Sequence, residues 1–282
     1  MAWKEGSPSQ KHVSFGETEV RYPAVAGQFY PAQPQRLRAQ VDELLQAARL
    51  GPQQGTVHAV IAPHAGYIYS GPIAAYSFRS LPPPDGRTVY LLGPAHYVPL
   101  SGVAVGEFRA MATPLGQTPV AVEQGHRLVA AGKFIHPDQG AHTPEHCLEV
   151  ELPFLQVLAG APFRVVPLLF GRVDPLQVAV VLGDAIAEDE SALVVVSSDL
   201  SHYHPYEAAR KLDTAFLNAV VAGDLVAAGR GEACGLLPIL TLMLLAARFD
   251  WRPRLLDYRN SGDTAGDRSR VVGYGAVAYA AV

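Results

Sequence analysis

Short apolar runs of strand length recur along the chain, and longer segments with helical spacing lie between them. The apolar runs are rich in Val, Ile or Leu and comprise Val57–Ala62, Val89–Leu92, Phe163–Phe170, Ala192–Val196 and Val271–Ala281. Runs with so little polar alternation are typical of strands that are buried on both faces of a largely parallel sheet. The helical segments are Pro34–Arg49, Gly71–Ser80, Val120–Ala131, Pro144–Leu158, Pro175–Glu188, Tyr206–Ala222 and Gly235–Phe249. This alternation predicts a doubly wound α/β fold with helices on both faces of the sheet.

One segment, Gly102–Gly116, has the pattern of a hairpin instead, so the sheet is expected to be mixed although mostly parallel. No internal repeat and no low-complexity linker divides the chain. We therefore expect a single α/β domain over residues 21–282. Residues 1–20 are polar and are predicted to form a flexible N-terminal arm.

Composition excludes several classes of function. The 282 residues are 49% hydrophobic and have a formal net charge of −4, with no long basic run, so no nucleic-acid partner is expected. No apolar stretch reaches the roughly 20 residues of a membrane-spanning helix, so no membrane partner is expected either. Only two cysteines occur, Cys147 and Cys234, which excludes a disulfide framework and favours the cytoplasm.

Histidines follow the predicted strands at the points where the strands end. His64 and His96 each come shortly after one strand, and Asp199 and His202 follow another. Ligands of open α/β sheets bind at the carboxyl ends of the strands, so these side chains are expected at one rim. A single histidine in such a place is about as often structural as functional. Two at matching strand ends favour a transition-metal site.

Cys234 precedes the apolar helical run that begins near Leu236. A thiol at a helix amino terminus has its thiolate form stabilised by the helix dipole, which favours metal ligation. A buried, inert cysteine is the alternative, and the local sequence alone favours it. Asp199 and His202 would share a face if a helix began there, with Asp199 orienting His202 or binding metal. An Asp helix cap beside a surface histidine is the alternative for that pair.

The densest polar cluster lies between His142 and Glu151. Thr143 followed by Pro144 is typical of a helix start, and His146 and Glu149 would then share one face of that helix. A His-x-x-Glu pair is a weak metal signal by itself. We therefore expect His146 to line the pocket rather than to bind metal.

Several common sites lack their sequence patterns. The Gly- and Asp-rich segment Asn260–Asp267 does not match a calcium or phosphate loop, and we expect a tight loop near the rim of the site. A dinucleotide-binding glycine pattern and a serine-hydrolase elbow are both missing.

These ordered motifs resemble those of the Memo family, whose prokaryotic members are called AmmeMemoRadiSam system protein B. The resemblance extends from Arg21 to the carboxyl terminus. The motifs are Arg21–Pro31, Ala62–Tyr67, Gly93–His96, Glu145–His146, Ser197–Tyr203, Cys234–Gly235 and Ser261–Asp263. So many matching motifs over nearly the whole chain make the resemblance specific.

The resemblance implies a fold similar to class III extradiol dioxygenases, which hold ferrous iron with two histidines and a glutamate. It implies that His64 and His96 are metal ligands and that Cys234 takes the place of the glutamate. His202 matches the acid/base histidine, and His146 and Asp199 would complete the catalytic pocket. The thiolate makes copper a competitor of Fe²⁺, with zinc as a further alternative.

Two functions follow from the resemblance and the residues together. The first is a dioxygenase-type, iron-dependent oxidoreductase acting on a small organic substrate, with a metal-activated hydrolase as its variant. The second is a non-catalytic protein that binds redox metal or docks a partner. The family association implies an AMMECR1-type protein and a radical SAM enzyme as partners. Either metal hypothesis requires the donor atoms of His64, His96 and Cys234 to converge within roughly 3–4 Å.

Overall fold

The computed structural model describes residues 18–52, 55–106 and 108–281. Its strands are β1 (Thr18–Arg21), β2 (Thr56–Ala62), β3 (Thr88–Pro94), β4 (Val103–Val105), β5 (Phe108–Thr113), β6 (Gly116–Pro119), β7 (Ile135–Pro137), β8 (Arg164–Phe170), β9 (Leu193–Ser197), β10 (His202–His204), β11 (Arg252–Asn260) and β12 (Val271–Ala281). Its helices are α1 (Pro34–Ala47), α2 (Gly71–Ser80), α3 (Val122–Ala131), α4 (Gln139–His142), α5 (Leu152–Leu158), α6 (Pro175–Ala187), α7 (Tyr206–Ala222), α8 (Leu225–Ala228), α9 (Leu236–Phe249) and α10 (Ser261–Thr264).

A nine-stranded mixed sheet forms the centre of the described fold. Its strand order is β10-β12-β2-β9-β3-β8-β4-β7, and β11 also pairs with β12. The four central strands, β2, β9, β3 and β8, run parallel to one another. Antiparallel pairings, β12 with β2 and β4 with β8, flank them on either side. The predicted α/β architecture with a mixed sheet is therefore confirmed.

The central strands are buried on both faces, which explains their continuous apolar sequences. Along β2, Val60 and Ala62 pack into a core shared with α1, α2 and α5. Ala59 and Ile61 point the other way, into a core shared with α6, α7 and α9. Because side chains alternate across a strand, each face needs its own apolar set. Helices consequently cover both faces, as the sequence predicts.

The predicted hairpin over Gly102–Gly116 is wrong. β4 joins the large sheet antiparallel to β8, and the hairpin is formed by β5 and β6 in a second sheet of order β1-β5-β6. Gly102 has a φ of +87°, and a Cβ there would lie 2.1 Å from the carbonyl oxygen of Phe134. This glycine permits a close backbone approach at the start of β4, which directs β4 to the large sheet.

The predicted helix over Pro144–Leu158 is also wrong in its first half. Within this segment only α5 is helical, with Pro153 in its first turn, and residues 147–151 form turns. The carboxylate of Glu145 accepts hydrogen bonds from the backbone N–H groups of His146 and Cys147. Local side-chain bonds of this kind compete with a helix. His146 and Glu149 therefore do not share a helix face.

The boundary of the predicted N-terminal arm needs one correction. Thr18–Val20 belong to β1, which pairs in parallel with β5, so the ordered fold begins before Arg21. The rest of the predicted arm, residues 1–17, lies outside the described residues. Among the helices described, none is both long and apolar enough to cross a membrane.

Candidate metal centre

Three donor residues meet at the carboxyl ends of the parallel strands. His64 lies two residues after β2, His96 two residues after β3, and Cys234 two residues before α9. The Cys234 Sγ atom is 3.3 Å from His64 Nε2. One donor atom from each of the three residues lies within 4.8 Å of the others. The predicted convergence is thus confirmed for His64 and Cys234, and the three donors fit a single metal ion.

His64 is held by two consecutive hydrogen bonds in the buried interior. We call the two residues that form them, Ser197 and Glu151, the His64 support. The His64 Nδ1 atom is 2.7 Å from Ser197 Oγ, and that oxygen is 2.8 Å from Glu151 Oε1. Ser197 and Glu151 have no exposed surface. Burial lowers the pKa of His64 well below its usual value, and the neighbouring His146 and His96 act in the same direction. His64 is therefore neutral, which is the form that binds metal.

His96 is held by a single glutamate, Glu145, which we call the His96 support. The Glu145 carboxylate accepts hydrogen bonds from the His96 backbone N–H at 2.6 Å and from its Nδ1 atom at 2.9 Å. Burial acts to raise the pKa of Glu145, but these bonds, the charge of His96 and the N–H of Cys147 lower it to about 2. An ionised carboxylate on Nδ1 leaves Nε2 of His96 as the metal-binding atom.

Cys234 lies against the backbone that follows β9. Its Sγ atom accepts a hydrogen bond from the Asp199 N–H at 3.1 Å, and its own N–H donates to the Asp199 carbonyl. Burial and the charge of Asp199 raise the pKa of the thiol to about 12. Without a bound cation, Cys234 is therefore a thiol rather than the thiolate that a helix amino terminus favours. A bound cation would be needed to deprotonate this thiol.

A second donor group shares His96 and consists of His96, Glu145 and His146. This group is less suited to a metal because Glu145 already accepts four hydrogen bonds, from His96, His146 and Cys147. Three of those bonds are on Oε1 and one is on Oε2, which leaves few lone pairs for a cation. The group containing Cys234 is therefore the better metal site.

A cavity of about 580 Å³ opens over the donor group. His64, His96, His146, Asp199 and His202 line it, so five of the six predicted site residues share one cavity, and Cys234 contacts His64 beside it. The ring of His146 stacks on that of His96 with centroids 4.8 Å apart. Burial lowers the pKa of His146 and of His202. Both imidazoles are therefore suited to accept a proton or a hydrogen bond at neutral pH.

Asp199 connects the two ligand loops rather than beginning a helix. Residues 198–201 form neither helix nor strand, so the helical face that Asp199 and His202 would have shared does not form. The Asp199 carboxylate accepts the backbone N–H of His64 at 2.8 Å. Burial raises its pKa to about 7, against the opposing hydrogen bonds from His64 and Ala65. Asp199 thus fixes the His64 loop by its side chain and the Cys234 loop by its backbone.

The outer part of the cavity is aromatic and has one cationic side chain among its described lining residues. Phe29, Tyr69, Tyr203 and Arg270 belong to this part. Tyr203 is 62% exposed, has a φ of +62°, and its ring lies 5.0 Å from the Arg270 guanidinium. A non-glycine residue is held in the left-handed region only where its surroundings require it. This part of the cavity therefore presents aromatic rings and one guanidinium group to a ligand.

A buried ion pair holds in place the segment that contains both Glu145 and Glu151. Arg21 pairs with Glu149, and its other nitrogens donate to the carbonyl oxygens of His142 and Glu145. The Glu149 carboxylate also accepts the N–H groups of Ala24 and Val25. The chain preceding α1 is thus attached directly to the turns that position His96.

The sequence patterns do not predict the contacts of Ser197, Glu151 and Glu145 with the two histidines. A signal was available in the segment 145–151, where three glutamates are interspersed with Cys147, Leu148 and Val150. All three are buried. Glutamate is rarely buried unless it is paired, so carboxylates within an apolar run indicate a hydrogen-bond network.

Comparisons with known proteins agree with this architecture. The family model for Memo-like proteins matches residues 21–278. A MEMO1 family protein of Methanopyrus kandleri is 38% identical, with 92% of this chain and 98% of that protein covered. One from Sulfolobus acidocaldarius is 36% identical over 92% of this chain and 99% of its own length. The crystal structure of an uncharacterized Escherichia coli K12 protein matches 78% of this chain and 99% of its own, with a TM-score of 0.51 and 14% identity, and so shows a shared fold.

Proposed function

The chain belongs to the Memo-like family, and from that premise we propose that it is a metal-dependent oxidoreductase with a dioxygenase-like non-haem iron site. The observation behind the proposal is the donor group of His64, His96 and Cys234 at the base of an open cavity. Three protein ligands leave further coordination positions free for a small molecule. We assign a small organic substrate because the cavity is about 580 Å³.

The donor set favours a transition metal. Two imidazoles and a thiolate suit iron, copper or zinc and not magnesium or calcium. We propose Fe²⁺ as the working metal, with copper and zinc as competitors. When bound, the metal would supply a Lewis acid and, for iron or copper, an electron-transfer centre beside the substrate.

The other cavity residues would bind the substrate and move protons. His202 has a neutral imidazole on the cavity wall and would accept a proton from a substrate hydroxyl. His146 lies against His96 and would donate or accept a hydrogen bond at a second substrate oxygen. Asp199 would keep the loops of His64 and Cys234 at a fixed separation, and its side chain lies at the same wall.

A second candidate function is a protein that binds redox metal or docks a partner without turnover. The observation in its favour is the exposed apolar surface around the cavity: Ile68 is 66% exposed and Tyr97 is 55% exposed. Exposed apolar groups of this kind occur at interaction sites. An AMMECR1-type protein and a radical SAM enzyme remain the proposed partners.

Metal analysis of anaerobically purified protein tests the proposal. We expect stoichiometric iron in the wild type and oxygen uptake that depends on an added catechol from a panel. Cys234→Ser should lose the iron, whereas Cys147→Ser should keep it because the Cys147 Sγ atom contacts the Pro94 carbonyl oxygen and is not part of the donor group. Bound metal without turnover would favour the second function. A wild type that binds no transition metal would contradict both.

His202→Gln separates catalysis from metal binding. Loss of a positioned proton acceptor should lower kcat by about 10²–10⁴-fold while the metal content is unchanged. Steady-state kinetics with metal analysis of the same preparation measures both quantities. His204→Gln is the matched control, because His204 lies on the same strand but its side chain pairs with Glu232 and does not line the cavity.

A further inference from the structure

Glu151 is buried in an arrangement that an ionised carboxylate does not explain. Its side chain has no exposed surface, and its Oε2 atom has no hydrogen-bond partner among the described residues. The buried cation that holds this segment, Arg21, pairs with Glu149 and not with Glu151. A buried carboxylate that lacks a cation and leaves one oxygen unpaired is more stable when it is protonated.

The three contacts of Ser197 Oγ determine which of the surrounding groups carry a hydrogen. Ser197 Oγ lies 2.7 Å from His64 Nδ1, 2.8 Å from the Cys147 carbonyl oxygen and 2.8 Å from Glu151 Oε1. A hydroxyl has one hydrogen to donate and two lone pairs to accept with. The Cys147 carbonyl can only accept, so it takes the Ser197 hydrogen in the arrangement that satisfies all three contacts. The two lone pairs of Ser197 must then accept one hydrogen each from His64 and from Glu151.

This arrangement requires a protonated Glu151 and a hydrogen on Nδ1 of His64. If Glu151 were ionised, Ser197 would have to donate to it, and its contact with the Cys147 carbonyl would lose its hydrogen. Burial raises the pKa of Glu151 well above its usual value; the Ser197 hydrogen bond opposes this effect and the charge of Asp199 adds to it. The hydrogen-bond geometry and the burial of Glu151 therefore both favour its protonated form.

We propose that Glu151 is a positioning residue that acts as a neutral hydrogen-bond donor: through Ser197 it holds His64 in the tautomer that presents an unprotonated Nε2 atom to Cys234 and to the metal. This inference rests on the proposed metal site, although it also makes a claim about His64 that no metal is needed to test. The opposite tautomer would place an N–H on Nε2, facing Cys234 Sγ at 3.3 Å, and would block metal binding.

The first experiment is ¹⁵N NMR of the histidine side chains in the full chain, before and after zinc is added. The His64 signals are assigned by their loss in His64→Gln. We expect the Nδ1–H tautomer in the wild type and in Glu151→Gln, because a glutamine amide can donate the same hydrogen bond. Ser197→Ala should show a mixture of tautomers. A wild type with Nε2–H on His64 before zinc is added would overturn the proposal.

The second experiment measures zinc affinity by competition with a chelating indicator. Glu151→Gln should bind zinc within about threefold of the wild type, whereas Glu151→Leu and Ser197→Ala should bind it at least about tenfold more weakly. A loss of about tenfold or more in Glu151→Gln would mean that the ionised form is needed, and would overturn the proposal. Infrared difference spectra should show a protonated-carboxyl band in the wild type that Glu151→Gln lacks.

The outcomes separate this inference from the proposed function. A protein with the Nδ1–H tautomer that binds no metal would contradict the metal function and leave the role of Glu151 intact. A protein that binds metal and turns over, but whose His64 tautomer is unaffected by Ser197→Ala, would contradict the role of Glu151 alone.

Discussion

The two histidines of the candidate metal site are supported by glutamates in opposite ways. Glu145 contacts the side chain of His96 directly, and that side chain is 28% exposed. Burial does not prevent the ionisation of Glu145. Glu151 reaches His64 only through Ser197, in an interior without exposed surface. Glu145 accepts four hydrogen bonds, while Glu151 has one partner and an unpaired oxygen. The number of N–H donors around each carboxyl therefore decides its charge.

That difference makes His96 and His64 unequal in basicity as candidate metal ligands. An ionised carboxylate on the outer nitrogen increases the basicity of His96, whereas a serine hydroxyl on His64 does so only weakly. A divalent metal bound there would be balanced by the Cys234 thiolate and by Glu145. A second ionised glutamate would leave excess negative charge in a dry interior, which is costly.

The largest expected effect comes from removing the ion pair on which both supports depend. Arg21→Leu leaves Glu149 as a buried charge without its counter-ion, so the free energy of unfolding should fall by about 3–5 kcal/mol. Urea unfolding measures this change. Arg127→Leu is the matched control, because its pair with Glu123 is exposed and should contribute less than about 1 kcal/mol. Equal effects of the two changes would contradict a structural role for the buried pair.

Glu145→Gln tests the ionised support. An amide has one acceptor oxygen where Glu145 uses two, and its NH₂ group would face the N–H groups that Glu145 now accepts from. Metal affinity should fall by about 10–100-fold, as measured by competition with a chelating indicator. Glu123→Gln, on the exposed surface of α3, should leave the metal affinity unchanged. If Glu145→Gln and Glu151→Gln lose metal affinity to the same extent, Glu145 and Glu151 do not differ in charge.

The pH dependence of stability should distinguish the supports by sign. The pKa of Glu151 is raised in the folded state, so above about pH 4.5 the wild type must hold a proton that the unfolded chain has lost. Its stability should therefore fall by about 1.4 kcal/mol per pH unit from this group, a slope that Glu151→Gln lacks. The pKa of Glu145 is lowered to about 2, so its contribution is present above about pH 4.5 and is lost as the pH falls through about 2.

Urea unfolding of wild type and Glu151→Gln at about pH 5 and about pH 7 checks this slope. The Gln variant should gain stability relative to the wild type as the pH rises. A difference that stays constant would mean that Glu151 is ionised in the folded protein.

The central sheet and the positions of His64 and His96 could be predicted from the sequence for the same reason. Buried parallel strands need continuous apolar runs, and the residues that follow such runs must lie at one edge of the sheet. His64 and His96 could therefore be placed by position alone. Helices with an apolar stripe, such as Tyr206–Ala222, were predicted at their observed bounds.

The elements that were missed depend on long-range contacts. Residues 145–151 have the local pattern of a helix, but hydrogen bonds to Arg21 and to the chain before α1 hold them in a non-helical conformation. β11 lacks an apolar run because its side chains are mostly half-buried or exposed. Glu151 and Ser197 are 46 residues apart in sequence, and no local pattern predicts that they meet.

The most direct test of the site is X-ray absorption spectroscopy of the zinc-loaded protein, with wild type beside Cys234→Ser and Cys147→Ser. Coordination by His64, His96 and Cys234 predicts one sulfur at about 2.3 Å and imidazole nitrogens at about 2.0–2.1 Å. That sulfur should be absent from Cys234→Ser and retained in Cys147→Ser. A wild-type spectrum with only nitrogen and oxygen neighbours would contradict the assignment of Cys234 as a ligand.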